Sequence, residues 1–145
     1  MDNFSNSITI DVVLDEGAYL PEKAHDADAG FDLRSRTTED IQPGGSVFFD
    51  TGVRVAIPKG YVGFLKSKSG LNVKYGLTGT GVIDSGYTGT IGVKLYNNSD
   101  DVYIIKQGDK LIQIVFLPIP DVKLNLVDSL EKTDRGDGGF GSTGK

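Results

Sequence analysis

Apolar residues alternate with polar ones along Ile8, Ile10, Val12 and Leu14, and again along Val53, Val55 and Ile57. This period of two is that of a strand with one buried face. Short β-branched or aromatic runs bounded by turn residues recur at 47–50, 61–65, 91–96, 102–105, 111–117 and 122–127, and each predicts a further strand. Pro43-Gly44-Gly45 and Pro58-Lys59-Gly60 read as turns. One short helix is predicted, with Ser69 as its N-cap, Leu71 to Tyr75 as its body and Gly76 as its stop. Evenly spaced short strands without long amphipathic stretches indicate an all-β barrel, jelly roll or sandwich rather than βαβ units.

Composition narrows the function. The 145 residues, 38% of them hydrophobic, suit one packed domain. The net charge of −5 argues against a nucleic-acid interface, which needs clustered Lys and Arg. It leaves room for a polyphosphate held by a few cations and a metal in one cleft. There is no cysteine, which excludes a disulfide framework, a thiol nucleophile and cysteine-ligated metals, and the lone histidine, His25, excludes a histidine-rich metal site. The polar start, Met1 to Ser7, carries no signal-peptide pattern and no membrane span is evident, so a cytoplasmic protein is expected.

The compositionally odd segment is the end, from Arg135 through Gly136, Asp137, Gly138, Gly139, Phe140, Gly141, Ser142 and Thr143 to Gly144. Residues 136–141 fit a GxGxxG string, and 139–145 fit a P-loop lacking its final Ser or Thr. Both motifs place phosphate at the start of a following helix, and no helix can follow here. A frayed terminus is one account of so much glycine. A closing arm is the other: Phe140 stacks on a base, Ser142 and Thr143 donate to phosphate oxygens, Arg135 grips a terminal phosphate, and glycines such as Gly141 allow close backbone approach. The segment therefore divides the chain into a barrel, 1–134, and an arm, 135–145. A second notable stretch, Gly79 to Gly89, reads as a hairpin with exposed backbone donors and acceptors. Within it Asp84 suits turn capping and Tyr87 suits a core.

Taken together, these segments resemble the five ordered motifs of the trimeric dUTPase family. Asp28-Ala29-Gly30-Phe31-Asp32-Leu33 resembles the first, Lys68-Ser69-Gly70-Leu71 the second and residues 81–89 the third. Gly108-Asp109-Lys110-Leu111-Ile112-Gln113 resembles the fourth and the glycine-rich end the fifth. The resemblance implies a jelly-roll-like distorted β-barrel assembled as a homotrimer, each active site drawn from three chains and closed by one chain's tail. It implies hydrolysis of dUTP to dUMP and pyrophosphate, which limits uracil incorporation into DNA and supplies dUMP. In that scheme Asp84 deprotonates a water attacking the α-phosphorus, and Asp32 holds Mg²⁺ through water. Tyr87 lies against the deoxyribose and excludes a 2′-hydroxyl, while backbone groups of Gly79, Thr80 and Gly81 pair with uracil. Lys68, Ser69, Gly70 and Gln113 contact phosphates, Ser69 adding the donor end of its short helix, and Asp28 is structural.

The chain departs from the family pattern at several positions. Lys68 and Lys110 stand where arginine is usual, and Thr88 and Thr90 where arginine and glutamate are frequent. A single compact charge thus replaces a planar two-point grip at Lys68. Two other functions are compatible with these residues: a dCTP deaminase of the same fold, and a regulatory binding protein that uses the nucleotide as a switch.

Overall fold

The computed structural model describes residues 7–141. Among them run eleven strands: β1 (Asp11–Leu14), β2 (Phe31–Arg34), β3 (Glu39–Ile41), β4 (Ser46–Asp50), β5 (Val53–Ala56), β6 (Tyr61–Lys66), β7 (Leu77–Thr78), β8 (Thr80–Ile83), β9 (Gly92–Asn97), β10 (Tyr103–Ile105) and β11 (Lys110–Pro118). One helix, α1 (Ser69–Tyr75), lies between β6 and β7. The strands form a four-stranded sheet, β2-β11-β6-β8, a three-stranded sheet, β4-β9-β7, and the pairs β1-β5 and β10-β3. This is the expected jelly-roll-type distorted barrel.

Aliphatic side chains fill the space between the sheets. Leu33, Ile41, Ile91, Ile105 and Ile112 are fully buried, joined by Val53, Leu77, Val93, Leu95 and Ile114. β-Branched residues dominate because they pack well on a pleated surface. Buried polar groups are paired. Asn97 donates its amide to the carbonyls of Ile41 and Asp101 at 2.9 and 2.8 Å, and its side-chain oxygen accepts from the Ser99 N–H and hydroxyl at 3.0 and 2.7 Å. It thereby ties the end of β9 to β3 and to the turn before β10.

Six predicted strands correspond to β4, β5, β6, β9, β10 and β11, and both predicted turns form. Gly44 and Gly60 adopt φ values of 73° and 91°, which a side chain would strain. Gly76 closes α1 with φ 68°, its N–H bonded to the Asn72 carbonyl.

Four expectations change. Ser69 is the first helical residue rather than the N-cap. Lys68 caps the helix in an extended conformation without a side-chain bond. The Gly79–Gly89 stretch is not a hairpin, because β8 pairs with β6 whereas β9 pairs with β4 and β7. Ile91 draws the chain away, bonding through its backbone to Val53 and Thr51, so the segment crosses from one sheet to the other. The N-terminal alternation yields only β1, whose four residues are all exposed. Residues 122–127 form no strand, and Leu124 and Leu126 are 94% and 99% exposed. Alternation supplies a face to bury, but a strand also requires a ladder partner. None is bonded to this segment among the described residues.

Replacing Asn97 with alanine takes a donor from the buried Ile41 carbonyl and from the part-buried Asp101 carbonyl, which keeps the Ser99 hydroxyl, and should lower the unfolding free energy by about 1–3 kcal/mol, measurable as a lower midpoint in urea with unchanged far-ultraviolet dichroism.

Candidate active site

Ladder register gathers the first group of site residues. Asp32 lies opposite Gln113, Gln113 opposite Lys66, and Lys66 opposite Thr80, which makes one row across the four-stranded sheet. Residues directly opposed on antiparallel strands share a face. Beyond Lys66 the chain turns through Ser67 and Lys68 into α1. Lys68 Nζ pairs with Asp32 Oδ1, and Lys110 Nζ lies 3.3 Å from Asp32 Oδ2. The Asp32 side chain is only 7% exposed, so both of its oxygens meet a cation where an unpaired carboxylate would be costly.

Gln113 is held as tightly. Its Nε2 donates to the Ser67 carbonyl at 3.2 Å, and its Oε1 fills the space beside Gly30, where a Cβ would lie 2.4 Å away. Lys68, Gly70 and Lys110 line an open cleft together with Arg34, Lys74 and Tyr103. Burial, followed by the nearby charge of Asp109 and by Tyr75, raises the Tyr103 hydroxyl above its ordinary pKa. The cleft thus offers four cations.

Ser67 also fixes the start of β8. Its Oγ accepts the Gly79 N–H at 3.0 Å and donates to the Gly79 carbonyl at 3.1 Å. Gly79 therefore already spends both peptide groups within the chain. Thr80 and Gly81 follow on β8, which is the edge strand of its sheet.

The second group lies at the far end of β8. Asp84 follows Ile83 and accepts the Tyr87 N–H at its carbonyl at 3.2 Å, in a turn completed by Gly86 at φ 87°. Its exposed carboxylate is bonded to no described residue. The Tyr87 hydroxyl donates to the Thr90 carbonyl at 2.8 Å, and the side chain covers Gly89, where a Cβ would meet the hydroxyl oxygen at 2.6 Å and the ring at 2.7 Å. Asp84, Tyr87, Val82, Ile83, Thr90 and Gly92 line a cleft of about 170 Å³. Arg54 braces this loop from β5. It grips Asp15 with Nε and Nη2 at 2.9 and 3.2 Å and reaches the Thr88 carbonyl with Nη1 at 3.4 Å. The hydrogen bond to Arg54 holds the Asp15 carboxyl below its ordinary pKa, and Asp15 raises Arg54 in return.

One chain does not bring the two groups together. Asp84 stands four residues beyond Thr80, about 13 Å along an extended strand, whereas Lys68 lies past the opposite end of the same pairing. The tail joins neither group. Arg135 closes a turn on itself, its Nε donating to the Gly138 carbonyl at 2.6 Å and its carbonyl accepting the Gly138 N–H at 2.9 Å. Phe140 is fully exposed at φ 33°, next to Gly141 at φ 91°. Ser142 and Thr143 lie outside the described residues.

Sequence reasoning missed the positioning roles of Ser67, Gly30 and Arg54. Gly30 stood within a recognised motif, but Ser67 and Arg54 act across 12 and 34 or more residues, and local pattern carries no signal at such separations.

The dUTPase family pattern matches residues 16–144. Deoxyuridine 5'-triphosphate nucleotidohydrolase of Tropheryma whipplei strain Twist is 42% identical over 137 residues, covering 92% of this chain and 94% of that protein. The Kluyveromyces lactis protein of the same name is 38% identical, covering 99% and 98%. Among solved structures, the Staphylococcus bacteriophage 80alpha dUTPase with dUPNHPP superposes with a TM-score of 0.89 at 34% identity, covering 96% of this chain and 100% of that one. That phage group is described as controlling transfer of virulence genes by a G protein-like mechanism. A variant dUTPase from phage phi11 of S. aureus, described as coordinating a structural Mg(II) ion, superposes at 0.79 with 35% identity, covering 86% and 100%. Matched across nearly its whole length in sequence and fold, this chain belongs to the dUTPase family and is a dUTP diphosphatase, hydrolysing dUTP to dUMP.

Proposed function

We propose that hydrolysis proceeds by attack of a water on the α-phosphorus, with Asp84 as the general base, in a site assembled from more than one copy of the chain. The carrying observation is the separation of the exposed Asp84 carboxylate from the Lys68, Gln113 and Asp32 cluster along β8. Asp84 takes the proton of the attacking water as the new P–O bond forms. The bond from the α-phosphorus to the bridging oxygen breaks, and pyrophosphate leaves. Lys68, Ser69, Gly70 and Gln113 of another copy hold the phosphates, and Arg135, Phe140, Gly141, Ser142 and Thr143 from the tail of a third copy close over them.

Two apolar surfaces support a homotrimer. Phe64, Val82 and Val115 are opposed across three strands on the outer face of the four-stranded sheet, with Val82 58% exposed. The exposed alternation of Val122, Leu124 and Leu126 fits a groove of about 350 Å³ on another copy, lined by Ile8, Ile10, Val12, Phe31 and Phe116. Alternating apolar side chains gain a buried face there by strand addition. No described helix is long and apolar enough to cross a membrane, and we place the enzyme in the cytoplasm.

Base and sugar selection belong to the segment from Gly79 to Tyr87. With Gly79 engaged by Ser67, those peptide groups of the Thr80–Gly81 stretch that turn away from β6 to the free edge are best placed to pair with uracil. The Tyr87 ring, fixed by its bond to the Thr90 carbonyl, is the wall that a 2′-hydroxyl would strike.

Mg²⁺ suits Asp32 as an outer ligand. No cluster of three metal-binding side chains exists among the described residues, and Mg²⁺ commonly takes one or two carboxylates while substrate phosphates and waters supply the rest. When bound, the ion offsets charge developing on the phosphate oxygens. Asp32 would orient its water shell, and Lys110 holds that carboxylate in place. A switch-like second role is favoured by the phage relatives' described mechanism; a nucleotide-dependent change in partner binding would distinguish it from catalysis alone.

Asp84→Asn should keep affinity for a non-hydrolysable dUTP analogue within a few-fold while losing on the order of 10² to 10⁴ in kcat. Near-normal pyrophosphate release by that variant would remove Asp84 from its role. Across dUTP, UTP, dCTP and dTTP, the wild-type enzyme should release pyrophosphate efficiently from dUTP alone. Tyr87→Ala should raise kcat/KM for UTP relative to dUTP by about tenfold or more, and an unchanged ratio would place sugar selection elsewhere. Ammonia release from dCTP would point to deamination instead.

A further inference from the structure

We propose that the two lysines on Asp32 have unequal roles: Lys110 is its permanent anchor, and Lys68 is an exchangeable cation that leaves Asp32 Oδ1 for the triphosphate as a Mg²⁺-bound water takes its place. The inference rests on the assignment of Asp32 and Lys68 to the nucleotide site and adds the order in which their bonds change.

Asp32 is 7% exposed on its side chain, and each oxygen is taken by a different ammonium group. Each oxygen keeps a second lone pair, but a hydrated cation that used it would face two nearby positive charges. Departure of one lysine therefore favours a Mg²⁺-binding role for Asp32. Lys110 opens β11 opposite Arg34, with a shift of register between it and Ile112, so its backbone is held at the end of the ladder. Lys68 lies outside the strands, capping a seven-residue helix that buries none of its residues and lacks a side-chain cap. Its neighbours Ser69, Gly70 and Gln113 are the proposed phosphate contacts.

Lysine suits an exchange of this kind. A single ammonium on a flexible stem can pivot from a carboxylate to a phosphate, whereas a guanidinium in a bidentate grip gives up two directed bonds to do so. The incoming triphosphate carries more charge than Asp32 and competes for Lys68. The carboxylate oxygen left behind then accepts from a metal-bound water instead of remaining buried and unpaired. Metal and nucleotide binding become mutually dependent, each strengthening the other by the same factor. In the free enzyme Lys68 keeps the ion out.

Lys68→Met in the full chain tests this, because Lys110 still pairs Asp32 and limits the cost to folding; a thermal melt checks that it does. Mn²⁺ binding without nucleotide, read by electron paramagnetic resonance, should strengthen about tenfold when the competing charge is gone. Binding of the α,β-imido analogue of dUTP in chelator should weaken. Unchanged or weaker Mn²⁺ binding by the variant overturns the proposal. In the wild-type enzyme, ¹⁵N-labelled lysine Nζ signals give a second reading. Adding Mg²⁺ and the analogue should move the Lys68 signal and leave that of Lys110 in place, and the reverse pattern also overturns the proposal. Pyrophosphate release from dUTP by the same wild-type preparation tests the underlying site assignment separately.

Discussion

The pairing of β11 with β2 on one side and β6 on the other is the constraint on which the site depends. It puts Gln113 between Asp32 and Lys66 and makes the end of β6 deliver Ser67 and Lys68 to the same edge. Register in a sheet with one buried face is strongly specified, since a slip of one residue would turn Leu33, Ile112 and Ile114 outward. The aliphatic core therefore positions a polar row that contributes little to it. Ser67 extends the arrangement by fixing Gly79 at the start of β8.

The same register separates Asp84 from the residues proposed to hold the phosphates. β8 carries the backbone proposed to read uracil at its start and is followed by the proposed base, and Arg54 braces the loop beyond through the Thr88 carbonyl. On the proposed reading, a chain with this geometry gains a complete site by association. Its exposed Leu124 and Leu126 point the same way, because a monomer has no evident use for fully exposed leucines in a strand-like alternation.

Much of this was legible in the sequence. Period-two runs located most of the strands, and Gly44, Gly60 and Gly76 marked turns that the structure forms with positive φ. The motif residues were identifiable because their chemistry is local to short segments. Other features depended on partners remote in sequence. The Gly79–Gly89 stretch looked like a hairpin until Ile91 was seen bonding to Val53. The alternation at 122–127 predicted a strand that lacks a ladder within the chain. The shared grip of Lys68 and Lys110 on Asp32 joins positions 36 and 78 residues from it, and substitution of arginine by lysine at both gave no hint that they meet on one carboxylate.

The central claim is that Asp84 and the closing tail act in one site while belonging to different chains. Mixing inactive Asp84→Asn with an inactive form lacking residues 135–145, then refolding them together, tests this directly. Random one-to-one trimers with heterologous sites should recover about a quarter of the wild-type turnover of dUTP, because that share of sites draws an intact Asp84 and an intact tail from different copies. No recovery, with mixed trimers shown to form, would mean that each chain closes its own site and would contradict the account.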